Sequence, residues 1–86
     1  MNLDSDENLD ALIREEKQRV ASHFLHEAWD SALEEGIETS ILADSAVDVA
    51  LTRLFSEAGE DGVRDLIEGL SDRLTSGHFD AGRVLQ

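Results

Sequence analysis

Apolar residues recur at helical spacing in three stretches of the chain, and each stretch ends at a glycine. In the first, Leu9, Leu12, Ile13, Val20 and Phe24 step along one side at intervals of three, four and seven. This predicts a helix from about 8 to 35, with Asp6 or Asn8 as its cap. Two acid-before-base pairs four apart, Asp10 with Arg14 and Glu15 with Arg19, support it on an exposed face. Its second half carries Leu25, Ala28, Trp29, Ala32 and Leu33. At about 100° per residue these lie well round from Leu9 and Ile13. The helix is therefore expected either to bend or break near Ala21–Ser22, or to pack its two halves against different things. A first half that projects from a small domain is a natural seat for a second subunit, so a homodimer is expected.

The second stretch predicts a helix over about 39–58, with Ile37 placed to staple onto Leu42 at its start. Its apolar residues, from Ile41 through Val47, Val49 and Leu51 to Phe55, cover most of the circumference. A helix of that kind is covered on more than one side. The third predicts a helix over about 61–76, with Val63, Leu66, Ile67, Leu70 and Leu74 in a single stripe. Gly36, Gly59 and Gly77 stand just past these stretches, where a left-handed residue closes a helix. Gly69 interrupts the third at a cost of about 1 kcal/mol relative to alanine. There is no proline, no tyrosine and no alternating apolar segment. The expected fold is all-α: a small three-helix bundle with a long first helix that bends or splits, and a short C-terminal tail. Residues 1–7 are expected to be an acidic, disordered N-terminus, 8–77 a single helical domain and 78–86 the tail, whose Phe79, Val84 and Leu85 either dock on the domain or await a partner.

Composition adds charge to this picture. Twenty acidic residues against seven basic ones give a formal net charge of −13 across 86 residues. Such a surface repels phosphate backbones and anionic lipid, which argues against nucleic acid and membrane partners; it fits a domain that is simply acidic and soluble, or else a docking face for a basic protein or a mimic of nucleic acid in a basic groove. The apolar segments are too short to span a bilayer. The first ten residues, MNLDSDENLD, have neither the basic start nor the apolar run of a signal peptide. The absence of cysteine excludes disulfides, thiolate metal sites and a thiol nucleophile. A cytoplasmic protein of bacterial style is expected.

Candidate chemistry concentrates in HFLHEAWD. On a helix His23, His26, Glu27 and Asp30 fall within about a third of the circumference, and imidazole with carboxylate is a usual zinc or nickel ligand mixture. The pattern is H-x-x-H-E, whereas helical zinc sites use H-E-x-x-H and four-helix di-metal sites use E-x-x-H from two helices. The expectation is a solvated helix face with no metal and no cofactor. A metal-binding helical protein using these four residues is the first alternative, and two copies could share one site. Trp29 beside them is expected to anchor a core or an interface. His78, after Gly77, is placed to favour a helix C-terminus. No glycine-rich phosphate loop is present, and a Ser-His-Asp set can be assembled only on paper.

The segment LADSAVDVALTRLF, with Asp44, Ser45, Val49 and Leu51, resembles the start of the second helix of an acyl carrier protein, and VRDLI, Val63 to Ile67, looks like that family's last helix. The resemblance implies a phosphopantetheine arm on Ser45 and basic partner enzymes. Ala46 stands where the family has Leu or Met, no glycine precedes Asp44, and the family's long first loop is missing. An acyl-carrier-like protein modified at Ser45 is the second alternative. The leading expectation is a non-catalytic interaction or adaptor module, homodimeric, with Leu9, Ile13, Trp29, Ile41, Phe55 and Phe79 as its interface residues.

Overall fold

A computed structural model of the chain describes residues 3–80. It is all-helical: α1 spans Leu3–Glu34, α2 spans Thr39–Thr75, and no strand occurs among the described residues. Two helices stand where three were expected. The second and third stretches form one element, and their boundary persists inside α2 as a single non-helical residue, Gly59, with φ 71° and ψ −170°. That region of backbone space is essentially open to glycine alone.

Helix α1 corrects two further expectations. It begins at Leu3, ahead of the caps at Asp6 and Asn8, and it runs unbroken through Ala21–Ser22. No proline or glycine occurs within it. The change of apolar side near Ala21 thus alters which face is apolar without altering the backbone.

The chain divides into two compact units, Met1–Ala43 and Asp44–Gln86. In the first, α1 closes through two bonds that follow from a left-handed Gly36 at φ 89°. The Ile37 N–H donates to the Ala32 carbonyl at 3.2 Å, and the Gly36 N–H donates to the Leu33 carbonyl at 3.0 Å. This is the Schellman arrangement, which satisfies carbonyls that a helix end otherwise leaves bare. The Leu42 N–H donates to the Glu38 carbonyl at 3.0 Å, so Glu38 is the cap of α2. Ile37 and Leu42 then occupy the two register positions of a hydrophobic staple. The half-buried residues of this unit are Trp29, Ala32, Leu42 and Ala43, and all four flank the turn.

In the second unit α2 turns its corner at Gly59. A β-carbon on Gly62 would stand 2.4 Å from the Ala58 β-carbon, so the backbone there approaches more closely than any side chain permits. Leu51 and Leu54 before the corner are half-buried, and so are Val63, Leu66 and Leu70 after it. Leu51, Thr52 and Phe55 share one shallow hollow with Val63. The helix ends in a second Schellman turn at Gly77, φ 84°: the His78 N–H donates to the Arg73 carbonyl at 2.9 Å and the Gly77 N–H to the Leu74 carbonyl at 3.1 Å. Gly36 and Gly77 are thus left-handed helix closures, as expected. Gly59 shares their positive φ, but its ψ makes it a corner.

The expectation that the second stretch is covered on more than one side is corrected. Among the described residues none is buried, apolar or polar. The apolar faces are half-covered at the turn and at the corner, and open elsewhere.

Candidate interaction surface

One open apolar face belongs to α1. Leu9, Leu12, Ile13, Val20 and Phe24 lie along one side of it with 38 to 65% of their surface exposed. The apolar residues of its second half lie on a different side, and of these Trp29 and Ala32 are half-buried. Leu25, Ala28 and Leu33 of that second side are exposed as well, so the coverage of α1 is confined to Trp29 and Ala32 beside the turn. Isolated exposed apolar residues are ordinary on a protein surface, but a contiguous row of large ones marks a site of association.

Of the other interface residues expected from sequence, Ile41 and Phe55 are exposed on α2. Phe79 is exposed beyond its end, with the Arg73 guanidinium 5.7 Å from the ring centroid and the His78 ring 4.9 Å away, edge to face. Sequence reasoning missed this Arg73–His78–Phe79 cluster; its signal was an arginine in the last helical turn followed by an aromatic just past the closing glycine. Val84 and Leu85 of the tail lie outside the described residues.

One pair of fully charged side chains on α1 forms a fork. Arg19 donates to both carboxylate oxygens of Glu16, at 2.5 and 3.2 Å, and not to Glu15 as spacing alone suggested. This fork raises the Arg19 guanidinium above its usual value, the hydrogen bond from Glu16 being the cause. On α2, Arg64 pairs with Glu60. All these pairs are exposed, so they contribute little to stability.

The HFLHEAWD residues lie on one helix, as expected. His23 Nε2 and Glu27 Oε1 are 3.5 Å apart, whereas His26 sits with Leu25 and Trp29 around a separate shallow hollow. Among the described residues no group of three or more His, Asp or Glu is arranged to hold a metal ion. Ser45 is exposed inside α2, six residues past its start at Thr39, and not at a helix lip where a carrier-protein serine stands. No described helix is long and apolar enough to cross a membrane.

No protein-family model matches the chain, and no curated protein or solved structure is significantly similar to it.

Proposed function

We propose that the chain is a non-catalytic interaction module that works as a homodimer, cytoplasmic and of bacterial style, with an acidic outer surface for a basic protein partner. One observation carries this reading. Five large apolar side chains line an open face of α1, while none of the described residues is buried. Fully covering a Leu, Ile, Val or Phe stabilises by about 1.5–3 kcal/mol, so covering each of these half-exposed residues contributes roughly 1 kcal/mol. Two copies contribute together, which is comparable with the roughly 4–15 kcal/mol that association costs. A dimer whose population depends on concentration follows. Two chains laid together by these faces cover the apolar side chains that each leaves open. The remaining surface carries most of a net charge of −13 per copy, which attracts a basic partner and keeps further copies apart.

Light scattering across a concentration series tests this directly. The expected outcome is twice the chain mass at high concentration, falling to one chain mass on dilution. A single chain mass at every concentration, together with no binding of an apolar dye, sinks the proposal.

A further inference from the structure

Because α1 is continuous, spacing can be followed across Ala21–Ser22 without interruption. Ile13, Lys17, Val20, Phe24, Glu27 and Ser31 then fall four, three, four, three and four residues apart. That is the 3.5-residue repeat of a two-helix seam. The inner four positions are also complementary about Ser22: the apolar Val20 and Phe24 lie two residues from it on either side and the oppositely charged Lys17 and Glu27 five, while the outer positions nine residues away, Ile13 and Ser31, are unlike each other.

We propose that a second copy of this chain docks on α1 antiparallel, with the dimer axis at the level of Ser22, so that Lys17 of each copy pairs with the partner's Glu27 while Val20 packs on the partner's Phe24. This deepens the homodimer reading and rests on it. The argument is charge complementarity of the row with itself. In a parallel, in-register pair, Lys17 meets Lys17 and Glu27 meets Glu27, and both layers are repulsive. The antiparallel pair turns the same residues into two opposite-charge layers around two apolar ones. A charged residue inside an apolar seam costs stability and sets register and orientation.

Lys17 is the only lysine of the chain and makes none of the salt bridges among the described residues, so its charge is available to a second copy. Glu27 is held 3.5 Å from His23, on the same helix beside the row. Adverse neighbours are Glu16, which the antiparallel register brings near the partner's Glu27, and Asp30, which it brings beside the partner's Glu16. The fork from Arg19 already neutralises the Glu16 carboxylate.

The cysteine-free sequence makes the test direct, because introduced thiols have no native competitors. Ile13→Cys and Ser31→Cys variants are mixed and oxidised, and each is also oxidised alone; Lys17, Val20, Phe24 and Glu27 stay intact. The expected result is a covalent dimer from the mixture and little from either variant alone. Self-linking of the Ile13→Cys variant means a parallel seam and overturns the proposal. Dimeric mass with no cross-link in any sample places the contact on another face and overturns the proposal while leaving the homodimer reading standing. A single chain mass overturns both.

A charge exchange gives a second readout. Lys17→Glu is expected to weaken the dimer about tenfold or more, and adding Glu27→Lys to return it to near the wild-type constant. Arg53→Glu, on α2, makes the same change in net charge and is expected to leave the constant nearly unchanged. Equal weakening by Arg53→Glu and Lys17→Glu shows that overall charge and not this seam controls pairing. Glu and Lys are both good helix formers, so the exchanges preserve α1.

Discussion

The first half of α1 and the Gly59 corner of α2 use the same kind of sequence, an apolar stripe at helical spacing, and reach different states. Along α1, Leu9, Ile13 and Phe24 remain open because the helix runs straight on with nothing in its own unit's sequence to fold back over them. At the corner Leu51, Leu54, Val63, Leu66 and Leu70 are half-covered, because one glycine turns the chain and a second permits the close approach. Helix formation is decided locally by propensity and capping, but covering a stripe needs a second surface. The corner makes that surface from its own chain. The first half of α1, on the reading given above, takes it from a second molecule.

This contrast can be broken most severely at the corner. Gly59→Ala forces a β-carbon into a backbone region that side chains avoid, at about 1–3 kcal/mol. No atom lies within 4 Å of that β-carbon, so the loss is backbone strain alone. Urea unfolding followed by circular dichroism is expected to show the midpoint falling. Gly62→Ala tests the other half of the device, by crowding against Ala58, and is expected to cost about 1–3 kcal/mol of overpacking in the same assay. Gly36→Ala, at the turn after α1, should lose about 1 kcal/mol, since only its positive φ is compromised and the space is open.

Gly69 sharpens the comparison from the opposite side. It too has nothing within 4 Å of its β-carbon, but its φ is ordinary for a helix. Gly69→Ala is therefore expected to stabilise, by up to about 1 kcal/mol. A loss there would show that the third stretch is packed more tightly than the corner geometry implies. The smallest effect is expected from His23→Ala. It removes an exposed pair with Glu27 and should change stability by less than about 0.5 kcal/mol, with no zinc-dependent rise in Tm in either protein. A zinc-dependent rise that His23→Ala abolishes would return the HFLHEAWD cluster to metal binding.

Much of the fold was legible in the sequence because its signals are local. The helical periods, the staple positions of Ile37 and Leu42, and the positive φ of Gly36, Gly59 and Gly77 each depend on a few neighbouring residues. Two readings failed for the same reason. The wheel of α1 changes side near Ala21, which looks like a break if a helix is assumed to have one apolar face. The Gly59 junction looks like the start of a third helix, because spacing does not say how far the backbone departs from helical geometry. The expected break also hid the candidate seam, since the row from Ile13 to Ser31 exists only on an unbroken helix. How much surface stays open was not legible at all, because apolar spacing names a face without saying what meets it.

The Gly59 corner also sets a clock. Its outermost half-buried leucines, Leu51 and Leu70, are only nineteen positions apart in the chain, so its formation needs short loop closures and belongs to the microsecond-to-millisecond range of helical domains. On the homodimer reading, pairing of two copies is bimolecular and slows in proportion to dilution, whereas the corner needs one chain alone. That reading then has a newly made chain complete its own corner long before it meets a second copy, with the open face of α1 exposed for an interval that protein concentration sets.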